Sequence, residues 1–232
     1  MDQKKKNIIR YILRMFLSLL AQAIIFFSAA EVFYIPRAWL FFIITIFYYI
    51  SSIFIIYRTT PDLMYHRGGE AFRKDTKSWD KPILLTYTIL GVYGQFFVAG
   101  YDVGRIHWLP LGLDYLGIGL ILYIISCALI VWAMIKNPFF EPTVRLQKER
   151  GQRVISSGPY QIIRHPGYLS GILWHLSVSL ILGSSLALVY SGLIIIILIV
   201  RTYLEDQTLK RELEGYHEYS NKVKYRLFPL LW

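Results

Sequence analysis

The sequence predicts an all-α fold, a polytopic membrane bundle of about six transmembrane helices that ends in a short helical hairpin. Three observations carry this expectation. Of the 232 residues, 55% are apolar and 17% are charged, against about 25% charged in an average soluble domain. Polar surface is therefore too scarce for a water-exposed domain of this size. Six apolar runs alternate with polar segments, and the cationic residues crowd into every second connection.

The runs fall at 11–35, 38–57, 83–101, 112–135, 168–183 and 185–200. A helix needs about 20 residues to cross a hydrocarbon core of about 30 Å, and the first four runs satisfy that. The last two are shorter and meet at Gly183-Ser184-Ser185, a turn signal, so they predict a tight hairpin that borrows flanking residues or does not reach fully across. Of the 25 Lys and Arg, only Arg37 and Arg105 lie in the connections between the N-terminus, the 58–81 and 136–167 loops and the stretch after 200. The positive-inside rule places both termini and the two long loops in the cytoplasm. The first run is too long for the apolar core of a signal peptide, so Ser28-Ala29-Ala30 is read as part of an uncleaved anchor.

The net charge of +10 is on this reading topological. No basic stripe interleaved with aromatics marks a nucleic-acid surface, and the expected surroundings are membrane lipids. Cys127 is the only cysteine, which excludes a disulfide framework, a Cys/His zinc site and a CxxC pair within the chain; no metal is expected. Neither a P-loop nor an HExxH motif occurs. Gly112, Gly117 and Gly119 follow no strand, so they are read as permitting close helix packing rather than as a dinucleotide fingerprint. His66, His107 and His217 stand alone, and His175 is expected to be hydrogen-bonded inside the bundle. The oligomeric state is not legible.

The polar information is concentrated in two cytoplasmic stretches, which divide the chain into N-terminal helices, 1–136, and a C-terminal region, 137–232. A loop of about thirty residues runs from Asn137 to Tyr168, long for a connection and hence functional by expectation. Gly158-Pro159 and His165-Pro166-Gly167 are rigid turn elements. The second stretch continues the sixth apolar run without a breaker to Gly215. A helix over 185–214 would be about 45 Å long and must project from the bilayer, with Arg201, Glu205 and Glu212 on one face. In the plainest reading Arg201 snorkels to the interface and pairs with Glu205 on the surface, and Arg164-His165 faces lipid headgroups.

Together these stretches resemble the isoprenylcysteine carboxyl methyltransferase family, integral membrane enzymes related to the phospholipid methyltransferases. The matching residues are Gln152 through Tyr160, Arg164-His165-Pro166-Gly167-Tyr168 through Gly171, Arg201-x-x-x-Glu205-Asp206, Gly215 through Tyr219, and Pro229. The resemblance implies S-adenosylmethionine as cofactor. It implies that Gln147, Gln152, Arg153, Val154, Ile155, Tyr160, Arg164, His165, Pro166, Gly167 and Tyr168 surround it. It also implies that Glu205 contacts the cofactor and that Arg201 binds the methyl acceptor, a lipophilic or prenylated molecule. Most members have His where this chain has Gln152.

These residue types suit the chemistry. Arg164 or His165 with backbone N–H groups can hold the donor's carboxylate. Tyr160 and Tyr168 can pack on adenine or on the sulfonium. A prenylcysteine-like carboxylate is ionised at neutral pH and needs no general base, and Arg201 could clamp it bidentately. An amine acceptor, as on phosphatidylethanolamine, would need a base, for which Glu205 and Glu218 are candidates. The alternatives of another class are an NADPH-dependent membrane reductase and a non-catalytic membrane scaffold.

Overall fold

The computed structural model describes residues 2–70, 72–229 and 232, with helices and no strand among them. Helix α1 (Gln3–Ala30) starts well before its apolar run, because the Asp2 carboxylate accepts the Lys4 N–H at 3.3 Å and caps the first turn. It ends where Glu31 turns left-handed, φ 55°. Helices α2 (Pro36–Thr59) and α3 (Pro61–Arg67) each open on a proline, whose fixed φ suits the first helical position. The third crossing, α4 (Asp80–Ile106), extends beyond the 83–101 run at both ends and widens into π turns over Tyr87–Gly94 and Asp102–Ile106. There follow α5 (Leu113–Lys136), α6 (Pro166–Leu182), α7 (Ser185–Glu212) and the short α8 (Tyr216–Lys222).

Helices α1, α2, α4, α5 and α7 are long and apolar enough to cross a membrane. Their outward faces carry exposed Ile24, Phe47, Phe54, Ile124, Val189 and Ile196, an apolar surface that water would not tolerate but acyl chains would. The protein is a multi-pass helical bundle of the membrane. Its core lies between Phe26, Phe41, Phe96, Val178 and Ile181, all fully buried.

The hairpin resolves as one short inner helix and one long one. At 17 residues α6 spans about 25 Å, and its C-terminal half is buried almost throughout. A buried helix end needs partners for its last carbonyls. Arg37 supplies them: its Nε and Nη2 donate to the carbonyls of Ile181 (2.8 Å) and Leu180 (2.6 Å), and Nη1 donates to Leu111 (2.6 Å). Asp102 does the complementary work at the N-terminus of α7. It accepts from the Ser184 hydroxyl at 2.5 Å and the Leu186 N–H at 3.2 Å, a carboxylate where the helix dipole favours one. Helix α7 is about 42 Å long by the same rise. It stops at Glu212, two residues short of expectation, because Leu213 is already extended (φ −103°, ψ 115°).

Packing settles the glycines differently from the sequence reading. A Cβ at Gly119 would stand 2.9 Å from the Ile181 nitrogen, whereas Gly112 and Gly117 have nothing within 4 Å. Two close approaches are on α4: a Cβ at Gly100 or Gly104 would lie 2.2 Å from the carbonyl oxygens of Phe26 and Ala30 on α1. Backbone cannot rotate away as a side chain can. Gly100→Val is therefore expected to cost more than the usual overpacking range of about 1–3 kcal/mol, while Gly117→Ala leaves stability unchanged or slightly raised. Thermal unfolding of the two variants in detergent checks this; equal midpoints would refute the close α1–α4 contact. His175 is hydrogen-bonded inside the bundle, to Gln95 through Nδ1 and to the Tyr87 hydroxyl through Nε2 at 3.0 Å.

Candidate active site

Asn137 ends α5, since a residue before proline is held out of the helical region; its φ is −113° and ψ 99°. Its side chain then starts the loop, accepting the Phe139 N–H at 2.9 Å and donating to the Tyr160 hydroxyl at 3.1 Å. Pro159 and Tyr160 are the buried residues of a 3-10 turn, and Pro166 opens α6. The tail closes the structure from beneath. The N–H groups of Arg164 and His165 donate to the carbonyls of Tyr225 (2.9 Å) and Arg226 (3.0 Å), and the Tyr219 hydroxyl donates to the Tyr160 carbonyl at 2.7 Å.

Loop, α6, α7 and tail line one half-open cavity of about 330 Å³, within the size range of small-molecule pockets. Gln147, Gln152, Arg153, Val154, Ile155, Tyr160, Arg164, His165, Pro166, Gly167, Tyr168, Arg201 and Glu205 all line it. So do Arg67, Leu84 and Tyr87 from the first half of the chain, which the sequence reading had left outside. Glu218 is exposed and off the cavity, which removes it as a base there. Glu212 faces Lys77 at 2.6 Å instead.

Several lining residues have their polar atoms already occupied. The Gln147 amide donates to the Phe139 carbonyl at 2.7 Å and accepts from Arg150, so both its polar atoms are engaged in shaping the loop. Arg164 does not face headgroups. Only 5% exposed, it grips Asp206 through Nε (2.8 Å) and Nη2 (3.2 Å), and through Nη1 it donates to the carbonyls of Val223 (2.7 Å) and Lys224 (2.9 Å). Asp206 is fully buried and also meets Arg226 at 3.0 Å, Lys210 at 3.3 Å, the Tyr216 hydroxyl at 3.1 Å and His165 Nε2 at 3.2 Å. The sequence reading quoted Asp206 without giving it a role; it is the anchor of the tail.

Other groups remain open. Facing an acceptor-only carboxylate, His165 Nε2 must carry the proton, and Nδ1 has no partner among the described residues. Gln152 Oε1 accepts the Gln147 N–H at 2.6 Å, and its NH₂ group has no partner among the described residues. The loop thus requires an acceptor at this position, and a neutral imidazole nitrogen would serve as well as an amide oxygen. Arg153 is exposed and has no hydrogen bond or ion pair among the described residues. Burial lifts the Tyr160 phenol above its ordinary value, with Asn137 and Glu205 acting less strongly, so its O–H remains available as a donor.

Arg201 departs most from the sequence reading. It neither snorkels nor pairs with Glu205. At 6% exposure it turns inward, donating from Nε and Nη2 to the two oxygens of fully buried Asp80 (2.7 and 3.2 Å) and from Nη2 to the Pro142 carbonyl. Its guanidinium lies 5.6 Å from the centre of the Tyr168 ring, whose hydroxyl donates to Glu205 Oε2 at 2.5 Å. Nη1 of Arg201 and Oε1 of Glu205 have no partner among the described residues.

Asp80 belongs to a strap that the sequence reading treated as a connector. Arg73, Asp75, Lys77 and Asp80 pair in turn with Glu149 (3.8 Å), Arg145 (2.8 Å), Glu212 (2.6 Å) and Arg201 (2.7 Å). Two further bonds, Lys77 N–H to the Val144 carbonyl (3.0 Å) and Val144 N–H to Asp80 (2.8 Å), tie it to the loop. Burial disfavours ionisation of Asp75 and Glu149, but the hydrogen bond and charge of Arg145 outweigh it and hold both below the ordinary carboxylate range. Stability from these pairs is present at neutral pH and is lost as pH falls through the lowered values.

Residues 119–211 match the model of the isoprenylcysteine carboxyl methyltransferase family. This part of the chain is isoprenylcysteine carboxyl methyltransferase-like. The matched stretch runs from the middle of α5 through the loop and α6 to the end of α7, so it contains the loop wall of the cavity, Arg201 and Glu205. It stops short of the strap and of the tail residues Tyr216 and Tyr219. In kind, the protein is a membrane methyltransferase. No curated protein matches the chain.

Proposed function

We propose that the chain uses S-adenosylmethionine to methylate the carboxylate of a lipophilic, prenylcysteine-like acceptor, at the cytoplasmic end of a bundle with both termini in the cytoplasm. One observation carries the reading: a buried guanidinium with one open NH₂ group, on Arg201, shares a cavity with the open carboxylate oxygen of Glu205 and the free guanidinium of Arg153.

The donor set fits this cofactor. Its carboxylate suits Arg153 at the rim, in place of Arg164, which is taken up by Asp206. Its amine or ribose hydroxyls suit Glu205 and His165 Nδ1. Val154, Ile155, Leu209 and Leu213 offer apolar surface to adenine, and the rings of Tyr160 and Tyr168 suit a cation. When bound, the cofactor supplies an electrophilic methyl group: the carbon–sulfur bond breaks as a carbon–oxygen bond forms, and sulfonium and carboxylate both become neutral. Keeping water from the reacting atoms favours such charge cancellation. The chain's own work is therefore to exclude water and to aim the acceptor. Arg201 does the aiming with Nη1 alone, since Nε and Nη2 face Asp80 and a bidentate clamp is not available. Leu84, Tyr87, Ile130 and Leu198 extend the cavity wall between the helices and suit an apolar acceptor tail.

Transfer of labelled methyl groups to a panel of prenylcysteine analogues and phospholipids tests this directly. Base-labile ester label on the prenylcysteines is the expected result. Label on phosphatidylethanolamine would instead favour amine methylation with Glu205 as base, the second reading that its open Oε1 supports. Saturable NADPH binding without S-adenosylmethionine binding would overturn both. Within the same reading, Arg153→Ala is expected to weaken cofactor binding roughly tenfold, the low end of a charge-assisted hydrogen bond at an exposed site, with an unchanged unfolding midpoint. Calorimetric titration beside thermal unfolding checks the two parts separately.

A further inference from the structure

We infer that Asp80, on the strap outside the family-matched segment, is a positioning and charge-balancing residue that lets the Arg201 guanidinium stand beside a cationic methyl donor. The inference rests on the methyltransferase reading above and deepens it. Arg201 and the donor's sulfonium must both approach the acceptor carboxylate, so two positive charges are brought together in a cavity of about 330 Å³. In a site of low effective dielectric that juxtaposition opposes donor binding. Asp80 answers it from the far side of the guanidinium. Fully buried, it takes Nε and Nη2 on its two oxygens at 2.7 and 3.2 Å, and the Val144 N–H at 2.8 Å fixes its orientation. The bidentate contact leaves Nη1 as the group turned to the cavity, and it makes the acceptor subsite neutral before a ligand enters. With the acceptor anion and the sulfonium both bound, the four charges sum to zero, and after transfer the two ligands are neutral while the ion pair is unchanged.

A unit charge within about 12 Å of the sulfonium, at an effective dielectric of about 20, changes affinity about tenfold. The test is the ratio of affinities for S-adenosylmethionine and for its uncharged thioether product, S-adenosylhomocysteine, measured by titration of purified protein. Asp80→Asn is expected to shift that ratio about tenfold against the cation. Arg201→Gln should shift it toward the cation, and Asp80→Asn/Arg201→Gln should return it near the wild-type value. Asp80→Glu, which keeps the charge, should preserve the ratio even where both affinities fall. A ratio unchanged in Asp80→Asn would overturn the inference and leave Asp80 a purely structural anchor. Because the ratio is read on the folded protein alone, the step from Arg201→Gln to the double variant still isolates the Asp80 charge where Asp80→Asn folds poorly: the ratio should move about tenfold against the cation, and no movement would overturn the inference. Wild-type protein that binds neither compound would refute the methyltransferase reading itself, a separate outcome.

Discussion

Replacing Arg201 with Met is expected to lower methyl transfer by about 100-fold or more and, separately, to destabilise the fold. The two effects have different causes. Transfer cancels charge rather than creating it, so Arg201 contributes by orienting the acceptor, and misplacement of a reacting group by an ångström costs about 100-fold. The stability loss comes from Asp80, which is fully buried and would be left without its guanidinium; breaking a buried pair from one side costs about 3–5 kcal/mol. Replacing both partners with uncharged residues removes that penalty. Asp80→Asn/Arg201→Met is therefore expected to regain most of the unfolding midpoint while methyl transfer stays lost. Parallel thermal unfolding and labelled-methyl assays decide it. Recovery of activity together with stability would show that Arg201 serves the fold alone.

The second large effect is expected at Asp206. Asp206→Asn would strip the counterion from Arg164, whose side chain is 3% exposed, and from Arg226 and Lys210 at the same time. A cost of about 3–5 kcal/mol follows from an uncompensated buried guanidinium. Arg164 also holds the carbonyls of Val223 and Lys224, so its release should free the tail while the apolar helices stay packed. Limited trypsin digestion is expected to cut at Lys222, Lys224 or Arg226 much faster than in the wild type. Cofactor affinity should fall with it, because Tyr216 and Tyr219 line the cavity from the tail. Unchanged cleavage would show that the backbone bonds from Arg164 and His165 to Tyr225 and Arg226 hold the tail without the ion cluster.

Much of the site was readable because its chemistry is local in the chain. The loop from Gln147 to Tyr168 and the pair Arg201 and Glu205 carry polar residues beside apolar helices, where they are costly, and every residue singled out there lines one cavity. What each atom does was not readable. Arg164 and Arg153 are the same residue type eleven positions apart, yet one is spent on Asp206 and the other is free. Gln147 and Gln152 differ likewise, the first bonded at both its oxygen and its nitrogen and the second at its oxygen alone among the described residues. Asp80 and Asp75 escaped notice because they sit among Arg73, Lys74 and Lys77, in a loop whose cations already had a topological explanation. The alternating signs of Arg73, Asp75, Lys77 and Asp80 were the available signal.

Composition and the spacing of apolar runs determined by themselves that this chain forms a helical membrane bundle with a polar loop and tail at one end, because hydrocarbon accepts only segments whose backbone groups are satisfied internally. Local sequence also set the turns at Asn137-Pro138, Gly158-Pro159 and His165-Pro166, where backbone sterics act on neighbouring residues. Tertiary structure alone decided which charges meet. Asp80 and Arg201 are 121 positions apart, and burial made their pairing obligatory, since neither could be taken out of water without the other. That requirement is a property of the folded interior, and no spacing along the chain encodes it.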